Sequence, residues 1–245
     1  MNLLEVQGLR KTYPAFRLED VSFSVPEGAV MGLIGRNGAG KSTTLKSILG
    51  LVHPDAGRVE MFGREFSENE RYIKENIGVV LGGIDFDPKK KVRTITDVTR
   101  RFYSNWQEEK YRHYLDLFAI DENKRVDQLS SGMRVKYLLA LALSHNARLL
   151  ILDEPTSGLD PVSRDELAEL LRRIAADGTR SVLFSTHITS DLEKCASHIT
   201  FIQEGRLQRS DTLAGFMAHY ADLGSTLEEI IVAAERRPYD ADAII

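Results

Sequence analysis

The stretch Gly35-Arg36-Asn37-Gly38-Ala39-Gly40-Lys41-Ser42 fits the spacing G-x-x-x-x-G-K-[ST] of a phosphate-binding P-loop. Residues 29–34 before it form a short apolar run that suits a buried strand. Residues 43–49 after it carry apolar side chains on one helical side. Strand, glycine loop and helix together give the spacing a mechanism. Glycines admit backbone shapes that a Cβ resists, so successive N–H groups can turn inward. The start of the following helix adds its positive end at the same spot. Lys41 can reach the β- and γ-phosphates of a nucleotide, and the Ser42 hydroxyl can ligate Mg²⁺. An ordinary glycine turn before a helix would not require all of these positions to be filled.

Working outward, the second strong element is Leu149-Leu150-Ile151-Leu152-Asp153-Glu154. An apolar strand here delivers two carboxylates at its carboxyl end, which suits Asp153 to a Mg²⁺ shell and Glu154 to polarising an attacking water. Alone, this is equally a strand ending in a solvated acidic turn; beside a P-loop the chemical reading is the stronger. Three weaker elements follow a fixed order. Leu129-Ser130-Ser131-Gly132-Met133 opens a helix with hydroxyls and N–H groups suited to an anion. Ser157-Gly158-Leu159-Asp160 follows Glu154 closely, and His187 ends the run 181–186. A serine before a helix is usually only an N-cap, and a lone histidine is usually structural.

The rest of the chain alternates between strand-like and helix-like segments. Strands are expected at 3–11, 16–25, 58–62, 77–81, 148–152 and 180–185, with a hairpin over 199–209. Helices are expected at 68–76, 163–176 and 188–195, and residues 211–235 read as mostly helical before a frayed tail over 236–245. Between 84 and 145 the strand-like runs vanish, and 94–103, 108–118 and 133–144 carry helical spacing. The alternation predicts an α/β fold with a parallel sheet and ligand sites at strand ends.

Composition sets outer limits. The 245 residues are 42% hydrophobic and 28% charged, as in a globular chain. A net charge of −4 offers no basic field to recruit nucleic acid. The single cysteine, Cys195, allows no internal disulfide and fits a reducing cytosol. Residues 1–5 lack the basic start of a signal peptide. The strongest apolar run, 137–143, is too short to cross a bilayer. Lys89, Lys90, Lys91, Arg93, Arg100 and Arg101 form a local basic cluster, which reads first as solvated and second as a site for anionic headgroups.

Taken together, the ordered elements resemble the nucleotide-binding domain of ATP-binding-cassette (ABC) transporters over roughly residues 3–210. The resemblance implies a P-loop NTPase fold: a RecA-like core with an N-terminal antiparallel β subdomain and an inserted helical subdomain. It divides the chain into a core (1–83 and 146–210), a helical subdomain (84–145) and a C-terminal helical extension (211–245). It also implies that Tyr13 stacks on adenine and that Gly35, Asn37, Gly38, Ala39, Gly40, Lys41, Ser42 and Thr43 hold ATP. Ser42 and Asp153 would hold Mg²⁺, and Glu154, His187 and Lys41 would carry catalysis. Ser130, Ser131 and Gly132 resemble the signature that caps the γ-phosphate of ATP on a second subunit, and Asp160 belongs to the D-loop.

Two departures from the family pattern stand out. Ser131 and Met133 replace the usual glycine and glutamine of the signature. Gly82-Gly83 stands where a Mg²⁺-touching glutamine is usual, with Asp85 or Asp87 as candidate substitutes and Gln107 as the next glutamine.

Because P-loop and signature each occur once, the resemblance implies that two chains, identical or related, close around ATP. It implies a separate permease, docking near residues 82–91 and the insert, and peripheral attachment to the cytoplasmic face of the cell membrane. The Leu-Ser-Ser-Gly-Met signature and Phe102-Tyr103-Ser104-Asn105-Trp106 resemble bacterial exporter subunits for peptides, antibiotics or lipids. One competing expectation is a soluble ABC ATPase acting on ribosomes or DNA, although those usually carry two cassettes or a long coiled coil. Another is a module that holds ATP with weak hydrolysis, which the missing glutamine favours and Glu154 and His187 oppose.

Overall fold

The computed structural model describes residues 1–81 and 86–236. The Gly82-Gly83 departure, Asp85 and residues 237–245 of the expected tail lie outside the described residues. The chain opens with two long antiparallel strands, β1 (Asn2–Tyr13) and β2 (Phe16–Pro26). Leu3, Leu4, Val6 and Leu9 of the first and Leu18, Val21, Phe23 and Val25 of the second are buried. The pairing sets Val6 opposite Phe23 and Leu9 opposite Val21, so the apolar residues share one face. β3 (Val30–Ile34) then leads into the P-loop and α1 (Lys41–Ile48).

β4 (Ala56–Met61) and the two-residue β5 (Arg64–Glu65) extend the antiparallel edge beside β1. The strand expected over 58–62 thus starts two residues earlier and stops one earlier, because Phe62 turns into the left-handed region with φ 57°. β5 has no counterpart in the sequence reading, since two residues carry no periodicity. Next come α2 (Phe66–Asn76) and β6 (Ile77–Val80). Among the described residues three α-helices follow: α3 (Val92–Thr99), α4 (Glu108–Leu117) and α5 (Ser131–Ser144). α5 begins two residues before the expected start, with Ser130 as its N-cap.

The chain then runs through β7 (Leu149–Asp153), α6 (Pro161–Ala175), β8 (Ser181–Thr186), α7 (Thr189–Cys195), β9 (His198–Gln203) and β10 (Arg206–Thr212). It ends in α8 (Leu213–His219) and α9 (Leu227–Glu235). The hairpin strand β10 reaches Thr212, so the first residues of the expected helical stretch are sheet.

The ten strands among the described residues join one sheet in the order β5-β4-β1-β2-β10-β9-β3-β8-β7-β6. The parallel sheet expected from the alternation is one half of a mixed one, and the N-terminal antiparallel subdomain implied by the resemblance is the other. β9, β3, β8, β7 and β6 run parallel, while β1, β2, β4 and β5 are antiparallel. A single parallel contact, Arg206 to Glu19, bridges β10 to β2. The central strands are covered on both faces, which explains their unbroken apolar runs. Each fully buried side chain such as Phe184 or Leu150 stabilises the fold by about 2 kcal/mol.

The apolar interior forms three clusters. One lies between β1, β2, β4, α1 and one sheet face, and holds Leu45, Met61 and Ile151. A second lies on the other face and holds Leu171, Phe184, Phe201 and, from the C-terminal helices, Phe216, Leu227 and Ile230. The third is small and gathers Val92, Tyr111, Leu115, Ile120, Leu129, Tyr137 and Leu141 from α3, α4, α5 and the turns between them. Inside it the Thr96 hydroxyl bonds the hydroxyls of Tyr111 at 2.7 Å and Tyr137 at 2.8 Å.

Candidate active site

The parallel register gathers the chemistry at one edge. Ile34 pairs with Thr186 and Asp153 pairs with Ser185. The residues that follow β3, β7 and β8 therefore emerge side by side: the P-loop, Glu154 and His187. The P-loop meets two segments more than a hundred residues further along the chain because parallel strands end level.

The loop itself needs its glycines at two places. A Cβ on Gly35 would stand 2.1 Å from the Ile202 carbonyl oxygen, so only glycine lets the loop leave β3 against β9. Gly40 has φ 113° and would bring a Cβ within 2.9 Å of the Phe16 ring, while serving as N-cap of α1. Lys41, 4% exposed, turns its ammonium back into the loop. Its Nζ donates to the carbonyl oxygens of Gly35 at 2.7 Å and Arg36 at 3.3 Å, and lies 3.4 Å from Glu154 Oε1.

Glu154 is clamped from several sides. Its backbone N–H donates to the Ser185 hydroxyl at 2.9 Å, and its Oε2 lies 2.8 Å from His187 Nδ1. Its φ is 50°, an uncommon conformation for a residue with a Cβ, and one that recurs at functional sites. Asp153 is buried, with Oδ1 accepting from Ser42 Oγ at 3.2 Å and Ser185 Oγ at 2.5 Å. Ser42, Asp153 and Ser185 thus form a chain of oxygens at the mouth of the loop. This donor set suits a hard divalent cation such as Mg²⁺.

A cavity of about 590 Å³ opens over these groups. It is lined by Gly38, Lys41, Ser42, Thr43, Glu154 and His187 together with Ala15, Phe16, Arg36, Asn37, Gly40 and Ser157. It is large enough for a ligand with several polar anchor points. No lining residue comes from 92–144.

Other expected residues lie elsewhere. Tyr13 is exposed beside Lys11, whose ammonium stands 5.8 Å from the ring centre; the aromatic on the cavity wall is Phe16. Ser130 Oγ accepts from the Met133 N–H at 3.2 Å, capping α5, and Ser130 and Ser131 are exposed. Gly132 faces Ser163 and Leu159 rather than the P-loop. Asp160 caps α6, accepting from the backbone of Val162 and Ser163 and from the Ser163 hydroxyl at 2.6 Å, a bond that lowers its carboxyl pKa. Asp87 accepts from the Lys89 N–H in a local turn.

Ser185 is a site residue that sequence reasoning missed. Its signal was a hydroxyl directly after the apolar run Val182-Leu183-Phe184, a buried placement that requires a partner. Phe16 was missed because a strand aromatic reads as core.

Comparison with known proteins agrees with this geometry. The family model described as ABC transporter matches residues 18–157, more than half of the chain. The bacitracin transport ATP-binding protein BcrA of Bacillus licheniformis is 32% identical over 208 residues, covering 84% of this chain and 68% of that protein. The Nod factor export ATP-binding protein I of Burkholderia orbicola is 39% identical over 191 residues, covering 76% of this chain and 62% of that protein. A solved ATP-binding subunit of an ABC transporter superimposes with a TM-score of 0.84 at 27% identity, covering 96% of this chain and all of that one. The chain therefore belongs to the ABC transporter family, as one of its ATP-binding ATPase subunits.

Proposed function

We propose that two such chains, identical or related, close around ATP and that hydrolysis drives a separate membrane permease in exporting a peptide, antibiotic or lipid. The observation that carries this reading is the meeting of Lys41, Ser42, Asp153, Glu154 and His187 on one cavity. Phosphoryl transfer needs positioning and charge neutralisation more than covalent chemistry, and these residues supply both. Lys41 leaves its carbonyl partners and Glu154 for phosphate oxygens. Glu154, freed from the ammonium and still held by His187, orients a water and accepts its proton. Ser42 and Asp153 are the residues that would hold Mg²⁺, which when bound neutralises charge on the phosphates.

In this reading residues 1–83 and 146–210 form the ATP core, 84–145 the signature subdomain and 211–245 a C-terminal extension. Ser130, Ser131, Gly132 and Asp160 would meet the ATP of the second subunit, because they do not line the cavity of their own chain. Tyr13 reaches adenine only by swinging in beside Phe16. The transport reading is supported by the names of the two relatives, one for bacitracin transport and one for Nod factor export. In this reading the permease is a separate chain and this one sits peripherally on the cytoplasmic face; among the described residues no helix is long and apolar enough to cross a membrane.

Affinity purification of the chain from its own cells, in mild detergent, tests this. The expected product is a complex with a polytopic membrane protein. Recovery with ribosomes or DNA and no membrane protein would sink the transport reading. Calorimetry with Lys41→Ala is expected to show ATP affinity lowered by at least about tenfold, the share of one charge-assisted phosphate contact.

A further inference from the structure

A second carboxylate reaches the phosphate loop from the C-terminal end of the chain. α9 starts with a reciprocal cap, in which Thr226 Oγ accepts from the Glu229 N–H and the Glu229 carboxylate accepts from the Thr226 N–H. Its first N–H, on Leu227, also donates to Glu193 Oε1 of α7 at 2.6 Å. Leu227 and Ile230 are fully buried in the cluster that contains Leu192 and Cys195 of α7. α9 is thereby fastened to the helix that follows His187.

The other end of α9 meets the P-loop. Gln203 donates to the Ala234 carbonyl at 3.1 Å. Glu235, the last residue of the helix, has its side chain only 7% exposed. Its Oε1 accepts from the Arg36 backbone N–H at 3.1 Å, and its Oε2 lies 3.8 Å from Arg36 Nε. The Arg36 peptide is a junction. Its carbonyl accepts from the Ala39 N–H at 3.0 Å and from Lys41 Nζ at 3.3 Å. Glu235 therefore holds, by its N–H, the same residue on which the phosphate-binding lysine rests.

Helix stability does not explain Glu235. A carboxylate at a helix C-terminus opposes the helix dipole, and burying it costs free energy unless it is bonded. Burial accordingly pushes its carboxyl pKa up. The compensation lies in the P-loop contact. A loop of glycines loses much backbone freedom when it closes on a ligand, and a contact that fixes it beforehand lowers that cost.

We propose that Glu235 is a positioning residue of the nucleotide site, and that α9 braces the P-loop through the Arg36 peptide while tying it to α7. This inference rests on the P-loop being the ATP site. The test uses the full chain with Glu235→Ala, Glu235→Gln and Lys41→Ala, and reads ATP affinity by calorimetry, ATPase kinetics and amide hydrogen exchange of Arg36.

Glu235→Ala is expected to weaken ATP binding and raise KM about tenfold, the scale of one hydrogen bond to a charged group, with kcat within about twofold. Glu235→Gln keeps an acceptor for the Arg36 N–H and is expected to bind ATP within about threefold of wild type. Arg36 exchange is expected to accelerate in Glu235→Ala alone. Wild-type ATP affinity in Glu235→Ala, beside lost binding in Lys41→Ala, overturns the brace while leaving the site assignment intact. So does a Glu235→Gln variant as weak as Glu235→Ala. Wild-type binding in Lys41→Ala overturns the site assignment and the brace with it. If Glu235→Ala does not fold, Glu235→Asp decides: faster Arg36 exchange at an unchanged Tm supports the brace, and unchanged exchange overturns it.

Discussion

Lys41 is 4% exposed and bonded to two backbone carbonyls, with a carboxylate 3.4 Å away, whereas Ser130 and Ser131 are exposed and Ser130 Oγ caps its own helix. The difference is one of support. The P-loop is locked between the central strands and the large clusters on both sheet faces. The helix opened by Ser130 and Ser131 is shared: Tyr137 and Leu141 join the small cluster of α3, α4 and α5, while Leu139 and Leu143 pack into the large one, and none of residues 92–144 lines the P-loop cavity. A group that must hold phosphate throughout a cycle profits from a rigid floor. Under the proposed function, a group that must engage and release profits from an exposed position, as at Ser130 and Ser131.

The largest effect should come from the rigid half. Glu154→Gln is expected to lower the ATPase rate by roughly 10²- to 10⁴-fold, the range for a general base, while retaining ATP binding, so that an ATP-held dimer accumulates on a sizing column. A monomer with wild-type turnover would remove Glu154 from the mechanism.

The division of labour can be broken directly by mixing variants. Lys41→Ala and Gly132→Asp should each be inactive alone. Mixed together, they should recover about a quarter of wild-type activity, the share of intact composite sites in a random two-fold assembly. No recovery would mean that the signature does not work across a subunit boundary.

A smaller effect should appear at the joint between the two regions. His145 follows α5, stacks on Tyr103 at 3.7 Å and places Nδ1 3.3 Å from the Glu75 carbonyl oxygen of α2. Burial lowers its pKa from 6.5 to about 4. Below pH 6.5 the unfolded chain takes up a proton that the folded chain refuses, so stability is complete above 6.5 and falls as pH drops toward 4. Each pH unit in that window costs about 1.4 kcal/mol. Urea unfolding at pH 7.5 and 5.5 should show a loss of about 1 kcal/mol that is absent in His145→Phe; equal slopes would show that the joint does not titrate. The smallest effect should come from restoring the usual glycine of the signature: Ser131→Gly, at an exposed position, should change ATPase activity by about twofold or less. A larger gain would identify the signature as the half that limits this chain.

How much of this was legible in the residues varies with distance along the chain. The P-loop was readable because its elements are contiguous: an apolar run, spaced glycines and a helix within 21 residues of sequence (29–49). Asp153 and Glu154 were readable because an apolar strand ended in acids. The antiparallel half of the sheet was expected only through the family resemblance, because β1, β2 and β4 show alternation but no sign of which strand each will pair with. Phe16 and Ser185 were missed for the same reason: each role depends on another element, Ser185 on Asp153 at the end of β7 and Phe16 on the P-loop at Gly40.

By itself the sequence determined the chemistry available: a lysine on a glycine loop, paired acids, a histidine after a strand, and hydroxyls before a helix. It also determined the strand–helix alternation, since local periodicity follows directly from which face each element must bury. Only the tertiary structure decided which of these groups meet. The level ends of β3, β7 and β8 set Lys41, Glu154 and His187 together, and the packing of α9 on α7 brought Glu235 to Arg36. Register and long-range packing are properties of pairs of segments, settled by shape and burial across the whole core, and no single stretch of residues carries them.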